Sequence, residues 1–211
     1  RANLLLVGTG ATASEIELAL KTNWNPDHIG LKLRTQGDNV IQLESDRIYL
    51  DAETERVGMS IESAKPTLTY LVNSITQGER STPYSFIIGG PVPDTLIDDE
   101  IVISRWLADE LNAGIGSAVT VDYAELLPGG EFVNKQREFT VHSIREMADL
   151  EIERALMPTF PGLSDVESCA DWDVGMPMDD EILNDEANEE YWDAYGQTPK
   201  ALVTLQAAQE M

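Results

Sequence analysis

Residues Glu100–Val121 read EIVISRWLADELNAGIGSAVTV. Ile103, Leu107 and Leu111 fall at i, i+4 and i+8, with Trp106 beside them. One apolar stripe at that spacing predicts a helix over Ile101–Asn112. Gly114 stands where a left-handed cap would end it. Ala118–Leu127 and Glu131–Ile144 then predict a hairpin around Pro128-Gly129-Gly130. Phe139 and Val141 alternate there with Thr140 and His142, the period of a strand with one apolar face.

Upstream, Gly89-Gly90-Pro91-Val92-Pro93 is a strong break and predicts a lobe boundary. Before it, Pro66–Ile75 and Thr82–Ile88 are rich in Thr, Tyr, Val and Ile and predict a hairpin. Its loop, Thr76–Ser81, reads as longer than two residues. Nearer the start, Leu4–Val7 reads as a strand, Ala11–Lys21 as a helix and Asp27–Arg34 as a strand through Ile29, Leu31 and Leu33. Val40–Leu50 reads as extended, and Asp51 as the cap of a helix running to about Glu62. Downstream, Ala201–Leu205 predicts a strand.

The 211 residues carry 14 Lys+Arg against 38 Asp+Glu, a net charge of −24. With 42% hydrophobic residues the chain can build a core, as one large domain or two small lobes. The charge excludes a phosphate-neutralising surface, so nucleic acid is not an expected partner. It equally argues against a basic helix lying on a membrane. No run approaches the ~18–20 apolar residues of a membrane span; Leu4–Val7 and Phe86–Ile88 are the longest. No signal peptide is read at Arg1-Ala2-Asn3. The first residue is not Met, and we expect a chain that was processed or cut from a longer one. Between Arg154 and Lys200 there is no Lys or Arg, yet the segment holds 12 acids. Phe160, Trp172, Tyr191, Trp192 and Tyr195 are interspersed among them, which predicts that Met157–Tyr195 docks on the body.

Few constellations point to chemistry. Gly8-Thr9-Gly10-Ala11-Thr12-Ala13 follows an apolar run and precedes a helix, the G-x-G-x-x-A of a dinucleotide cradle. The second strand has no acid at its tip, and hairpins follow instead of further strand–helix units. Asp171-x-Asp173 starts like a calcium loop, but Gly175, Met176 and Ile182 stand at its fifth, sixth and twelfth positions, so an EF-hand fails. An irregular carboxylate site remains open, and no metal ligand is assigned. His28 and His142 pair with no metal-ligand spacing, and His142 reads as structural. Ser14 and Ser117 lack a nucleophile elbow. Cys169, the single cysteine, has no neighbouring His and forms no internal disulfide. No catalytic residue and no cofactor are expected.

The block quoted first resembles the "vliserlAeeLglkvGdtvtl" pattern of extracytoplasmic domains in ABC transporter permeases of the FtsX-like, MacB/LolC type. The "FtVvGi" strand of that pattern corresponds to Phe139-Thr140-Val141-His142-Ser143-Ile144, where His142-Ser143 departs from Val-Gly. Further stretches resemble one large permease subgroup, in order along the chain. They are Ala2–Leu6, His28–Arg34, Thr67–Asn73, Ser81–Phe86, Leu156–Pro158, Phe160–Asp165, Glu167–Asp173, Tyr191-Trp192 and Thr198–Ala201. The resemblance implies an α+β fold: a membrane-proximal α/β lobe, 1–90 with 148–211, and a smaller inserted β-rich lobe, 91–147. It implies a non-catalytic domain outside the membrane that transmits conformational change or contacts a substrate or protein partner. ATP hydrolysis would belong to a separate ATP-binding subunit, reached through membrane helices absent from this chain. Gly8–Gly10 would then be the exit from the first such helix. A dinucleotide-binding enzyme domain and a calcium-dependent binding module stand as the alternatives.

Overall fold

The computed structural model describes residues 12–36, 40–47, 49–127, 129–154, 157–160, 162–164, 166, 169, 172, 178, 183 and 185–211. The chain divides into two compact units, Arg1–Asp51 and Ala52–Met211. The strand expected at Leu4–Val7 and the glycines Gly8 and Gly10 lie outside the described residues.

In the first unit, helix α1 (Ala13–Asn23) starts at a reciprocal cap. The Glu15 amide donates to Thr12 Oγ1, and the Thr12 amide donates to Glu15 Oε2 at 2.7 Å. A strand was expected from Asp27, but the chain first makes a 3₁₀ turn over Pro26–Ile29. Asn25 caps that turn, and Gly30 ends it at φ +78°. That left-handed φ favours glycine, and a side chain at Gly30 would also push the Asp46 carboxylate aside. Strands β1 (Leu31–Gln36) and β2 (Val40–Ser45) then pair antiparallel, with Leu33 opposite Leu43.

The second unit opens with α2 (Ala52–Gly58) and the hairpin of β3 (Leu68–Gln77) and β4 (Arg80–Gly89). Gln77 pairs with Arg80, so the loop is only Gly78-Glu79, shorter than the sequence predicts. Gly78 at φ +61° supplies the left-handed first position that a tight hairpin turn wants. The stretch expected as one helix over Ile101–Asn112 divides in two. Glu100–Ser104 is strand β5, and only Arg105–Leu111 is helix α3. Ser104 makes the switch, because its hydroxyl accepts the Leu107 amide as an N-cap. Asn112, at φ 52°, provides the left-handed cap expected from Gly114. Then come β6 (Ala118–Leu126), β7 (Phe132–Arg145), α4 (Met147–Arg154), α5 (Glu186–Tyr195), β8 (Ala201–Val203) and α6 (Leu205–Glu210). The strand expected over Ala201–Leu205 stops at Val203, since Thr204 caps α6.

Six strands close into a barrel in the order β3-β4-β8-β5-β7-β6, with β6 pairing back to β3. The fold is therefore mixed α and β, of the α+β class. The β4–β8 and β5–β7 pairs are parallel; the others are antiparallel. Position 90 lies between two staves of one hydrogen-bonded barrel, and β8 from beyond residue 148 sits between them. The packing thus divides the chain at Asp51, not into 91–147 against 1–90 and 148–211, because the β4–β8–β5 ladder ties both sides of Gly90 together.

Two cores lie on opposite faces of this sheet. Val72, Ile75, Ile87, Ile101, Ile103, Leu107, Leu111, Val121, Phe139 and Val141 fill the inner one. Phe86, Ile88, Val102 and Leu202 alternate with these and face outward. They are covered by Leu150, Met157, Leu163, Cys169, Trp172 and Leu183. Strands β4, β5 and β8 are thus buried on both faces; Ile101–Ile103 of β5 and Ala201–Val203 of β8 accordingly read as unbroken apolar runs, whereas β6 and β7 alternate. Phe160 stacks on Phe86 at 5.5 Å, and Trp172 meets Trp192 edge-on at 5.0 Å. Trp106, expected to be buried with its stripe, is only half-buried; Leu107 and Leu111 are fully enclosed. Among the described residues no helix is long and apolar enough to cross a membrane.

Candidate functional site

The most unusual group in the molecule is Lys200, a lysine only 2% exposed in a chain of net charge −24. Its backbone is fixed from both sides: its N–H donates to Phe86 O, and its carbonyl accepts from the Ser104 amide, each at 2.9 Å. Two residues before Leu202, it shares that residue's outward face of the sheet. Helix α5 covers that face. Asp185 caps α5 by accepting the Asn188 amide at 2.8 Å, which sets Asn188 and Tyr191 on one side, one turn apart.

Lys200 Nζ donates to Asn188 Oδ1 at 2.7 Å and to Thr82 Oγ1 at 3.1 Å. It also stands 4.5 Å from the Trp106 ring centre and 4.7 Å from that of Tyr191. Those two rings meet edge-on at 4.7 Å, and the Tyr191 hydroxyl donates to Thr198 O at 2.9 Å. Elements β4, α3, α5 and β8 therefore converge on one nitrogen. Among the described residues no carboxylate forms an ion pair with it. Taking an ammonium out of water costs several kcal/mol, and a desolvated ring face returns about 2 kcal/mol. Burial prevails and pushes the Lys200 amine down to about 7, against the pull of the carboxylates of Asp185 and Glu110.

Cys169 adjoins this cluster. Asn188 Nδ2 donates to its sulfur at 3.6 Å, and its own amide donates to Glu189 Oε2 at 3.0 Å. Burial, with Glu189 beside it, pushes the thiol up to about 12, so it is no nucleophile at neutral pH. Burial likewise raises the Tyr191 hydroxyl. Sequence reasoning missed Lys200, which enters it only within the matching stretch Thr198–Ala201. Its signal was a lone base at the head of the apolar run Ala201–Val203.

A second polar chain lies on β5 and β7. With its Nδ1–H donating to Glu100 Oε2 at 2.9 Å, His142 presents Nε2 as acceptor to the Thr95 hydroxyl, at 3.3 Å. Hydroxyl, imidazole and carboxylate stand in the order of a nucleophilic relay. Thr95 is exposed, however, so nothing here excludes water. His142 thereby ties β7 to β5. His28 is in the 3₁₀ turn of the other unit and exposed.

Ser14 is exposed in the first turn of α1, and Ser117 Oγ accepts the Gly114 amide at 3.0 Å. At the start of α1, where a phosphate would be cradled, the carboxylate of Glu15 is already bonded to Thr12, which lowers its pKa. Asp171 and Asp173 lie outside the described residues. Among the described residues no group of three or more His, Cys, Asp or Glu is placed to hold a metal ion. No protein-family model matches the chain, and no curated protein matches it.

Proposed function

We propose that the chain is the extracytoplasmic domain of an ABC transporter permease of the FtsX-like, MacB type. It works by transmitting conformational change or by contacting a substrate or protein partner outside the membrane. The observation that carries this reading is the ordered series of sequence blocks from Ala2–Leu6 to Thr198–Ala201, centred on Glu100–Val121. The fold is compatible with it: that central block forms β5, capped α3 and the start of β6 in unbroken succession. On this reading the α+β fold is that of a MacB-type core, the domain is not an enzyme, and its partner is an ATP-binding subunit reached through membrane helices. Nucleic acid is not a partner, given the net charge of −24.

The test is the parent gene and its product. The reading expects an apolar span of about 20 residues before Arg1 and another after Met211. It also expects the membrane-embedded product to co-purify with an ATPase subunit. A parent gene without such spans overturns it, as does saturable micromolar binding of NAD, NADP or FAD by calorimetry.

A further inference from the structure

We propose that Lys200 is a proton-operated latch for helix α5: the amine is enclosed by α5 in its neutral form, and taking up a proton drives α5 off the outer face of the barrel. The geometry supports this in three ways. Nζ is sealed beneath α5 by Asn188 and Tyr191, with Thr82 and Trp106 completing the enclosure. Among the described residues its oxygen partners, Asn188 and Thr82, are both neutral, so a proton added there meets no counter-charge in contact with them. The inner core includes no residue of α5, so the barrel keeps its interior when α5 leaves.

The carboxylates around Lys200 and Cys169 are those of Asp185, which caps α5, of Glu189 and Asp193 on α5, and of Glu110 on α3. Tyr191 and Cys169 are both raised by burial and keep their protons while Lys200 titrates. Thr82 on β4 does not titrate. Because the enclosed amine holds its proton less tightly than a solvated one, protons favour the lifted helix. In the lifted state Lys200, Asn188, Tyr191 and Cys169 all meet solvent. The device would couple the pH outside the domain to exposure of this acidic helix.

Cys169 supplies a native reporter. It is the single cysteine, fully buried, and its sulfur bonds to Asn188 of α5. Labelling of the full chain with an aromatic disulfide is followed from pH 6 to 9.5. Each rate is divided by that of the urea-unfolded chain at the same pH. The expected result is a normalised rate that falls up to tenfold per pH unit above pH about 7 and levels off below it. Lys200→Met should abolish that slope. Equal slopes in the two proteins, or a flat wild-type profile, would overturn the latch. Should Lys200→Met not fold, an NMR titration of the Lys200 side chain in the wild type decides. A midpoint far below the usual ~10.4 supports the latch, and one at or above it refutes it.

Discussion

The hydroxyl of Ser104 accepts the backbone N–H of Leu107 at 3.0 Å, and at that bond strand β5 becomes helix α3. Ser104 is fully buried, so the Leu107 amide has no water to turn to. Ser104→Ala should cost about 1–2 kcal/mol, read as a lower urea midpoint at unchanged slope. Ser104→Thr or Ser104→Asp, which keep an acceptor, should recover part of the loss if the larger side chain is accommodated. Equal losses in all three variants would mean that the cap is not what matters.

Leu107 and Trp106 are neighbours with different duties. Leu107 is fully enclosed in the inner core, so Leu107→Ala should cost about 2–5 kcal/mol. Trp106 is half-buried and chiefly offers its face to Lys200 and Tyr191. Trp106→Ala should cost less than Leu107→Ala in urea melts; the reverse order would show that the ring's contacts with Lys200 and Tyr191 outweigh the filling of the barrel interior.

Arg137 clasps three elements. Its guanidinium donates to Ala207 O at 3.1 Å and Asp98 O at 3.0 Å, pairs with Glu210 at 3.1 Å, and lies over the Phe139 ring. Arg137→Met keeps the stem and loses the donors, and should cost roughly 1–3 kcal/mol. Arg137→Lys should rescue little, because one ammonium cannot reach two carbonyls as a fork does. Full rescue by lysine in thermal melts would contradict this account.

Global stability should climb with pH on the alkaline side. The folded Lys200 amine titrates at about 7 and the ordinary amine at 10.5, so between these values the unfolded chain holds the extra proton. Stability therefore rises with pH from about 7 to about 9, by up to about 1.4 kcal/mol per unit; above 9 the raised Cys169 thiol, which keeps its proton only in the folded chain, offsets the gain. The difference between wild type and Lys200→Met, measured by urea titration at each pH, isolates this contribution. A wild-type curve parallel to that of the variant would refute it.

Salt should stabilise the protein. At a net charge of −24, the acids repel one another in the compact state more than in the unfolded chain. About 0.1 M salt limits that repulsion to about 10 Å, and 1 M to about 3 Å. The melting temperature should rise steadily with sodium chloride. Stabilisation by low calcium that equal ionic strength of sodium does not reproduce would instead indicate a cation site.

The sequence was most legible where one periodicity stood alone. Strands β6 and β7 alternate cleanly and were placed within a residue or two. The Ile101–Ser104 run was ambiguous because a strand buried on both faces is apolar throughout. Ile103 thereby completed a false helical stripe with Leu107 and Leu111, and only the Ser104 cap distinguishes the two. The barrel itself was hidden, since closure depends on the pairing of Ser74–Thr76 with Thr120–Asp122 and on a three-residue strand. The docking of the aromatics followed from their burial energy, and Phe160, Trp172 and Tyr191 do pack as that energy requires. The Lys200 cluster could not be foreseen, because Thr82, Trp106, Asn188 and Lys200 meet only after the chain has closed.

Strand β8 lies between β4 and β5, so the last stave in chain order is also the keystone. Ile87 finds its partner in Ala201, and Ile103 finds the other side of the same residue. A nascent chain emerging residue by residue would hold β4 and β5 with open, adhesive edges until that short tripeptide arrives. Secretion or synthesis that stalls before Ala201 would therefore release a sticky half-cylinder prone to pairing with its siblings, while three further residues turn the same polypeptide into a sealed one.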